Sequence, residues 1–290
     1  MIPRKKTPGV HQILVPTDFS PGSSRAMKFA LAVSERGRRV TAAHAVDPFP
    51  YRLGPQQSRQ LKCRQAWVLA QESMARWLQE GKFSACDSIV IEGEPAPAII
   101  NFAAVKGADL IVLATSARAH AARLMLGAVA EEIFRGVACP VVVLGPNARL
   151  FKRPKLLRLV FATDLEPHSL AAAPQIFKFK NSLSFEVLVM RAVHPDVTSR
   201  SERSRIRMET RLKVEAAIPP RLRKHIKQIH VEFDHPVKAI TAFATARKAD
   251  AIVMGIRSGG ELSRAATHIP WTVAHRVIAK AKCPVLTIRG

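Results

Sequence analysis

The chain has 290 residues, 48% of them hydrophobic, enough for two domains of ordinary size with buried cores and too apolar for a disordered polymer. Its 45 lysines and arginines against 22 acidic residues give a formal charge of +23, a field that attracts polyanions and repels cations. No apolar run reaches the roughly 18 residues that cross a bilayer, and no apolar stretch with a small-residue cleavage site follows the basic start from Met1 to Lys6. The expectation is a cytoplasmic protein without membrane insertion.

Strand and helix patterns alternate along the chain. In the first half, short β-branched runs predict strands over 12–16, 39–46, 88–92, 109–115 and 141–144. The run Leu110-Ile111-Val112-Leu113 is apolar without alternation, as a strand covered on both faces should be. Between these, 21–36, 56–80, 95–105 and 129–135 read as helices. Ser20 before Pro21 makes a good helix start, because serine satisfies a free amide and proline suits the first helical position. A turn-rich connector over 145–158 follows, with Pro146, Asn147 and Pro154. The second half then predicts strands over 157–163, 184–190, 229–233, 250–255 and 285–288, with a helical region over 198–227 broken by Pro219-Pro220.

The two halves repeat each other. Ile13-Leu14-Val15-Pro16-Thr17-Asp18 returns as Leu159-Val160-Phe161-Ala162-Thr163-Asp164, and Ala108-Asp109-Leu110-Ile111-Val112 as Ala249-Asp250-Ala251-Ile252-Val253. Cys139-Pro140-Val141 returns as Cys283-Pro284-Val285. A repeat of this length is a whole domain, not a solenoid unit, which sets the domains at 1–147 and 155–290. Alternating strands and helices argue for βαβ units, and right-handed crossovers make each half a small doubly wound parallel sheet. Ligands of such sheets gather at the carboxyl ends of the strands beside the first one. That places the candidate site at Thr17 and Asp18, the residues after Val46 and the loop after Thr115.

Val15-Pro16-Thr17-Asp18-Phe19-Ser20, Gly93-Glu94-Pro95-Ala96, Asp109-Leu110-Ile111-Val112, Leu126-Gly127-Ala128-Val129-Ala130 and Cys139-Pro140-Val141 together resemble the universal stress protein (UspA) family. The resemblance covers nearly all of both halves. It implies an α/β fold of two tandem Rossmann-like (adenine nucleotide alpha hydrolase-like) domains, each a five-stranded parallel sheet flanked by helices. It also implies a role in stress survival, as a binding or regulatory module.

Nucleotide-binding members of the family hold ATP with a loop of the form G-x2-G-x9-G-[ST], whose glycines and helix-start amides come close to phosphate. Carried onto the first copy, the four positions are Ala114, Ala117, Gly127 and Ala128, with the nine-residue spacing kept and two glycines and the hydroxyl lost. In the second copy they are Gly255, Ser258, Trp271 and Thr272, with a twelve-residue spacer. Asp18 and Asp164 match the family's aspartate after strand one, and Asp18 equally suits a turn before a capped helix. Val46 and Val193 match the positions where binders hold adenine through backbone groups. Gly93 keeps the family's G-x-P motif, which Asp234 replaces in the second copy. What the resemblance leaves open as a cofactor is ATP in the first domain, held by Thr17, Asp18, Val46, Ala114, Ala117, Gly127, Ala128 and Val129.

Other chemistry finds little support. No zinc-binding H-E-x-x-H, nucleophile elbow or G-x4-G-K-[ST] loop is present, so the expectation is no enzyme, with slow ATP hydrolysis as the alternative. The four cysteines form no C-x-x-C pair and are expected to be free thiols. His120, His168, His268 and His275 are expected on solvated surface. The basic charge is uneven, 19 basic against 11 acidic residues in 1–150 and 26 against 11 in 151–290. Ten basic residues fall in 199–227, either as a solvated helix face or as a surface for a polyanion or acidic protein. In this family single domains dimerise through the final strand, so the two final strands, 141–144 and 285–288, are expected to pair antiparallel inside one chain as a built-in dimer. An apolar edge strand left open would be an aggregation hazard.

Overall fold

Ile13, Leu14 and Val15 are all but inaccessible to solvent, which fits a strand at the centre of a sheet with helices on both faces. In the computed structural model this strand, β1 (Gln12–Pro16), lies between β2 (Arg39–Val46) and β4 (Leu110–Ala114). The structure describes residues 11–34, 39–48, 56–115, 127–150, 156–177, 184–257 and 273–290. They divide into two units, His11–Pro146 and Asn147–Gly290.

The first unit adds β3 (Asp87–Glu92) and β5 (Val141–Leu144), giving the order β3-β2-β1-β4-β5 with every neighbouring pair parallel. Its helices are α1 (Pro21–Val33), α2 (Gln56–Gly81), α3 (Pro95–Lys106) and α4 (Ala128–Gly136). The Ser20 side chain accepts a hydrogen bond from the Ser23 amide and caps α1 as predicted, a contact of about 1 kcal/mol. Ala26, Met27, Ala30 and Val33 put the buried stripe of α1 on the sheet.

The second unit follows the same plan. Its strands β6 (Leu157–Ala162), β7 (Phe185–Val193), β8 (Ile226–Phe233), β9 (Ala251–Ile256) and β10 (Val285–Arg289) are ordered β8-β7-β6-β9-β10, again all parallel. Its described helices are α5 (Pro167–Ile176), α6 (Arg200–Ala217), α7 (Pro236–Ala246) and α8 (Val273–Lys280), with a 3-10 turn at Pro220–His225. The break at Pro219-Pro220 is where the sequence put it. Strand β8 starts three residues before the predicted 229, because Lys227 and Gln228 disguise a half-exposed strand whose sides alternate. Among the described residues no helix is long and apolar enough to cross a membrane.

The repeated blocks are explained by hydrogen bonds that hold each sheet together. The Asp109 carboxylate accepts the His11 and Gln12 amides at 2.9 and 3.0 Å, and the Asp250 carboxylate accepts the Arg158 amide at 2.7 Å. In both copies an aspartate before one strand therefore clamps the start of the sheet's central strand. The carbonyls of Pro140 and Pro284 accept the Ile111 and Ile252 amides, each at 3.0 Å, which fixes the register of the last strand of each copy. All four cysteines are free, and burial pushes the Cys283 thiol up to about 12, with the Asp250 carboxylate adding to the effect. Cys283 is thus a small apolar core residue at neutral pH.

Candidate nucleotide cleft and its counterpart

The turn after β1 is built by side chains bonding back to their own backbone. The Thr17 hydroxyl accepts the Phe19 amide at 3.0 Å, and Asp18 Oδ1 accepts the Ser20 amide at 3.0 Å. Phe19 sits in the left-handed region at φ 62°, which this pair of bonds holds against its strain. The turn after β6 is the same: Thr163 accepts the Leu165 amide, Asp164 accepts the Glu166 amide, and Leu165 has φ 67°. The turn role of the two aspartates is therefore real in both copies.

The surroundings of the two turns differ. In the first copy Ser23 Oγ donates to Asp18 Oδ1 and accepts the Asp18 amide at 3.2 Å. Partial burial pushes the Asp18 carboxyl up, but the hydrogen bonds from Ser20 and Ser23 outweigh it and hold its pKa below the ordinary value. Asp18 stays exposed, an ionised carboxylate at the carboxyl end of the central strand. Thr17 is buried, its amide bonds to Ala43, and its carbonyl accepts His44 Nδ1 at 2.8 Å. The His44 ring in turn lies 4.4 Å from that of Phe19. In the second copy Ser169 bonds to Thr163 instead, at 2.9 Å. There His168 Nε2 lies 3.8 Å from Asp164 Oδ2, with the His168 side chain only 18% exposed. The solvated surface expected for His168 is corrected by this packing.

Position 22 explains that difference. A Cβ on Gly22 would lie 3.4 Å from the Thr115 carbonyl and 3.8 Å from the Ala114 Cβ, so α1 and the end of β4 meet closely across a glycine on the helix. The second copy has His168 at that helix position and places its glycine on the strand. A Cβ on Gly255 would lie 2.5 Å from the Ser169 Cα and 2.9 Å from the His168 carbonyl oxygen. The alanine at 114 and the glycine at 255 are therefore two solutions to one packing problem.

Thr17, Asp18 and Ala114 come together around Gly22. Val46 ends β2, and its carbonyl accepts the Gly93 amide at 3.0 Å, with Gly93 at φ 139° where a side chain would be strained. In the second copy Asp234 takes that place and pairs with Lys238 at 2.7 Å. The side-chain hydrogen bond from Lys238 holds the Asp234 carboxyl below its ordinary value. Gly127 begins α4 without a side-chain cap, and Gly127, Ala128 and Val129 are exposed. A Cβ on Gly127 would touch nothing, so packing does not require this glycine. Among the described residues no hydrogen bond joins this turn to Asp18 or Val46. Ala117, His120, Ser258, His268, Trp271 and Thr272 lie outside the described residues. Sequence reasoning missed His44, Ser23 and Gly22. The last two were visible as differences or matches between Ser20-Pro21-Gly22-Ser23 and Glu166-Pro167-His168-Ser169.

Comparison with known proteins agrees with this duplicated plan. The universal stress protein family model matches residues 9–145 and again 156–289. A universal stress protein of Methanocaldococcus jannaschii is 32% identical over 155 residues, covering 50% of this chain and 83% of its own. One from Thermus aquaticus is 29% identical over 136 residues, covering 46% of this chain and 96% of its own. Among solved structures, a universal stress protein from Archaeoglobus fulgidus superposes over 98% of both chains with a TM-score of 0.64 at 18% identity. A second, from Pseudomonas aeruginosa, covers 97% of this chain and 94% of its own with a TM-score of 0.55 at 15% identity. The chain belongs to the universal stress protein family and carries the family's domain twice in tandem.

Proposed function

We propose that this tandem universal stress protein is a stress-response binding and regulatory module, and that the nucleotide-binding capacity it retains resides in its first copy. The observation that supports this most is the contrast at the first turn. Asp18 is ionised and exposed, whereas its counterpart Asp164 has the His168 imidazole beside it. ATP in the first copy would meet Asp18, the backbone at the end of β2 near Val46, and the α4 amides at Ala128 and Val129. Anions are favoured at such a helix start. Isothermal titration with ATP tests the idea. The triple variant Ala114→Gly, Ala117→Gly, Ala128→Ser restores the family's loop composition and is expected to tighten ATP at least tenfold. An unchanged affinity would remove those three positions as the limit on binding. In this reading the cleft acts by holding a ligand.

We also propose that the two final strands, β5 and β10, pair antiparallel within one chain. The connector supports this. Asn147 and Arg149, just beyond β5, bond to the carbonyls of Ala279 at the end of α8 and of Lys282 in the turn that enters β10, at 3.1 and 2.9 Å. The double variant Val142→Asp, Leu286→Asp is expected to lose compactness in solution scattering and to lower the unfolding temperature. Wild-type compactness and stability in that variant would refute the pairing.

A further inference from the structure

The two copies differ in charge at the carboxyl ends of their edge strands. Val46 pairs with Glu92 in the first copy, and Val193 pairs with Phe233 at the equivalent register in the second. The residues that follow are Asp47 and Glu94 in the first copy and His194 and His235 in the second, with Glu94 and His235 each standing just before a helix, α3 and α7. Glu92, Asp47 and Glu94 thus give way to Phe233, His194 and His235, while Gly93 gives way to Asp234, so three carboxylates at these four matched positions become one.

Helix α6 extends this rim. At 100° per residue, Arg200, Arg207 and Arg211 fall within about 40° of one another on one flank, about 10 and 6 Å apart along the axis. All three are exposed, and none has a carboxylate partner among the described residues. The helix's ion pairs lie elsewhere, Glu202 with Arg205 and Glu209 with Lys213. The flank is anchored to the rim by stacking: the Arg203 and Arg207 guanidinium groups lie 4.6 and 5.3 Å from the centre of the Phe233 ring. Arg203 is fixed further by a 2.7 Å bond from Nε to the Val197 carbonyl. Below, buried Thr210 accepts Arg191 at 2.9 Å and holds α6 on β7. The His194 and His235 rings meet edge to face at 5.5 Å just past the ends of β7 and β8. The carboxylates at this end are Asp234, paired with Lys238, Glu232, 3.1 Å from His230 Nε2, and the exposed Asp196, 3.0 Å from His194 Nδ1.

We propose that this surface, Arg200, Arg207 and Arg211 with the Arg203–Phe233 stack and the His194–His235 rim, binds duplex nucleic acid through its phosphates. The site is separate from the cleft at Asp18 and does not depend on it. Arginine forks match phosphate oxygens in pairs, and a row of them with fixed spacing suits a repeating anion. Base recognition has no place in this interface, because the one aromatic ring is covered by guanidinium groups, so binding is blind to sequence. An anionic membrane fits less well, since the exposed apolar residues of α6, Met208 and Leu212, project from another face of the helix.

Fluorescence anisotropy with a labelled 20-base-pair DNA of arbitrary sequence tests the proposal at several salt concentrations between about 50 and 200 mM. The triple variant Arg200→Gln, Arg207→Gln, Arg211→Gln is expected to weaken binding at least tenfold at the lowest salt. It should also reduce the slope of log affinity against log salt by about 2.7, as the loss of three phosphate contacts requires. A control with equal charge loss on the first copy, Lys62→Gln, Arg64→Gln, Arg76→Gln on exposed positions of α2, should stay within about threefold of wild type. Should the α6 triple variant fail to fold by circular dichroism, the single Arg211→Gln variant carries the test, with a slope change of about 0.9. Absence of duplex binding at the lowest salt overturns the proposal, and so does equal weakening by the α2 control, which would leave net charge alone as the cause. Displacement of the duplex by poly-glutamate or by phosphatidylserine vesicles at a lower concentration than unlabelled duplex overturns it in favour of an acidic protein or a membrane.

Discussion

The two copies of the domain share a backbone plan and differ in where they place a glycine. The first has Gly22 on its first helix opposite Ala114, and the second has Gly255 on its strand opposite His168 and Ser169. Either arrangement lets the helix approach the sheet, but only the first leaves the turn aspartate without an imaginable plug, because the second spends the helix position on an imidazole that reaches Asp164. The family's phosphate-loop pattern has its first glycine at 255 in the second copy and an alanine, Ala114, in the first. Gly255 answers a packing demand of its own domain, so its presence does not by itself mark a phosphate site.

The largest test of this contrast is the pair Gly255→Ala and Gly22→Ala. A methyl at 255 would lie 2.5 to 2.9 Å from backbone atoms of His168 and Ser169, which cannot swing aside as a side chain end can. The helix must move, and a loss of about 3 kcal/mol in chemical unfolding is expected. At 22 the nearest atoms are 3.3 and 3.4 Å away, and the first of them is the Ser20 hydroxyl. That substitution should cost less than about 1 kcal/mol. Equal losses at the two positions would mean that the glycines are not exchanged solutions to one contact.

Much of this architecture was legible because it rests on local chemistry. The Ser20-Pro21 start, the prolines that open α3 and α7, and the apolar strands follow from capping, fixed φ and burial on both faces. The break at Pro219-Pro220 followed from the missing amides of proline. Other features depend on distances between elements and left no local mark. His168 looked like surface because nothing in its neighbours reveals how near β9 lies. Gly107 ends α3 in the left-handed region at φ 62°, and the matching position after α7 is Lys248 at φ 52°, where the residue type gives no warning. The candidate cleft was legible only at the end of its central strand. Thr17 and Asp18 were named from the strand-end rule, whereas the Ser23 hydroxyl and the His44 ring that shape the turn come from residues five and 27 positions away. The charge difference at the ends of β3 and β8 required the register of both edge strands, and one of those strands began earlier than its sequence suggested.

The smallest effect separates the two aspartates by pH. Asp18 is partly desolvated, which alone would raise its pKa, yet the Ser20 and Ser23 bonds bring the net shift below the ordinary value of 3.8. A carboxyl whose folded pKa is lowered adds stability that is fully present above its unfolded pKa and disappears as the pH falls through the folded one. Asp18→Asn removes that contribution, and because the group is exposed, the loss at pH 7 should be no more than about 1 kcal/mol. Asparagine keeps an acceptor for the Ser20 amide but weakens the bond from Ser23, so the turn itself should survive. Below the folded pKa of Asp18 the wild type and the variant should unfold at the same temperature, because both then carry a neutral side chain. Asp164→Asn is the control. It accepts the Glu166 amide at 3.0 Å and has no serine hydroxyl bond like that from Ser23, so its effect at pH 7 should be smaller than that at Asp18. Thermal unfolding of both variants from pH 2.5 to 7 reads the comparison directly. An Asp18→Asn penalty that persists undiminished at the acid end would show that the charge of Asp18 is not what the Ser20–Ser23 pair stabilises.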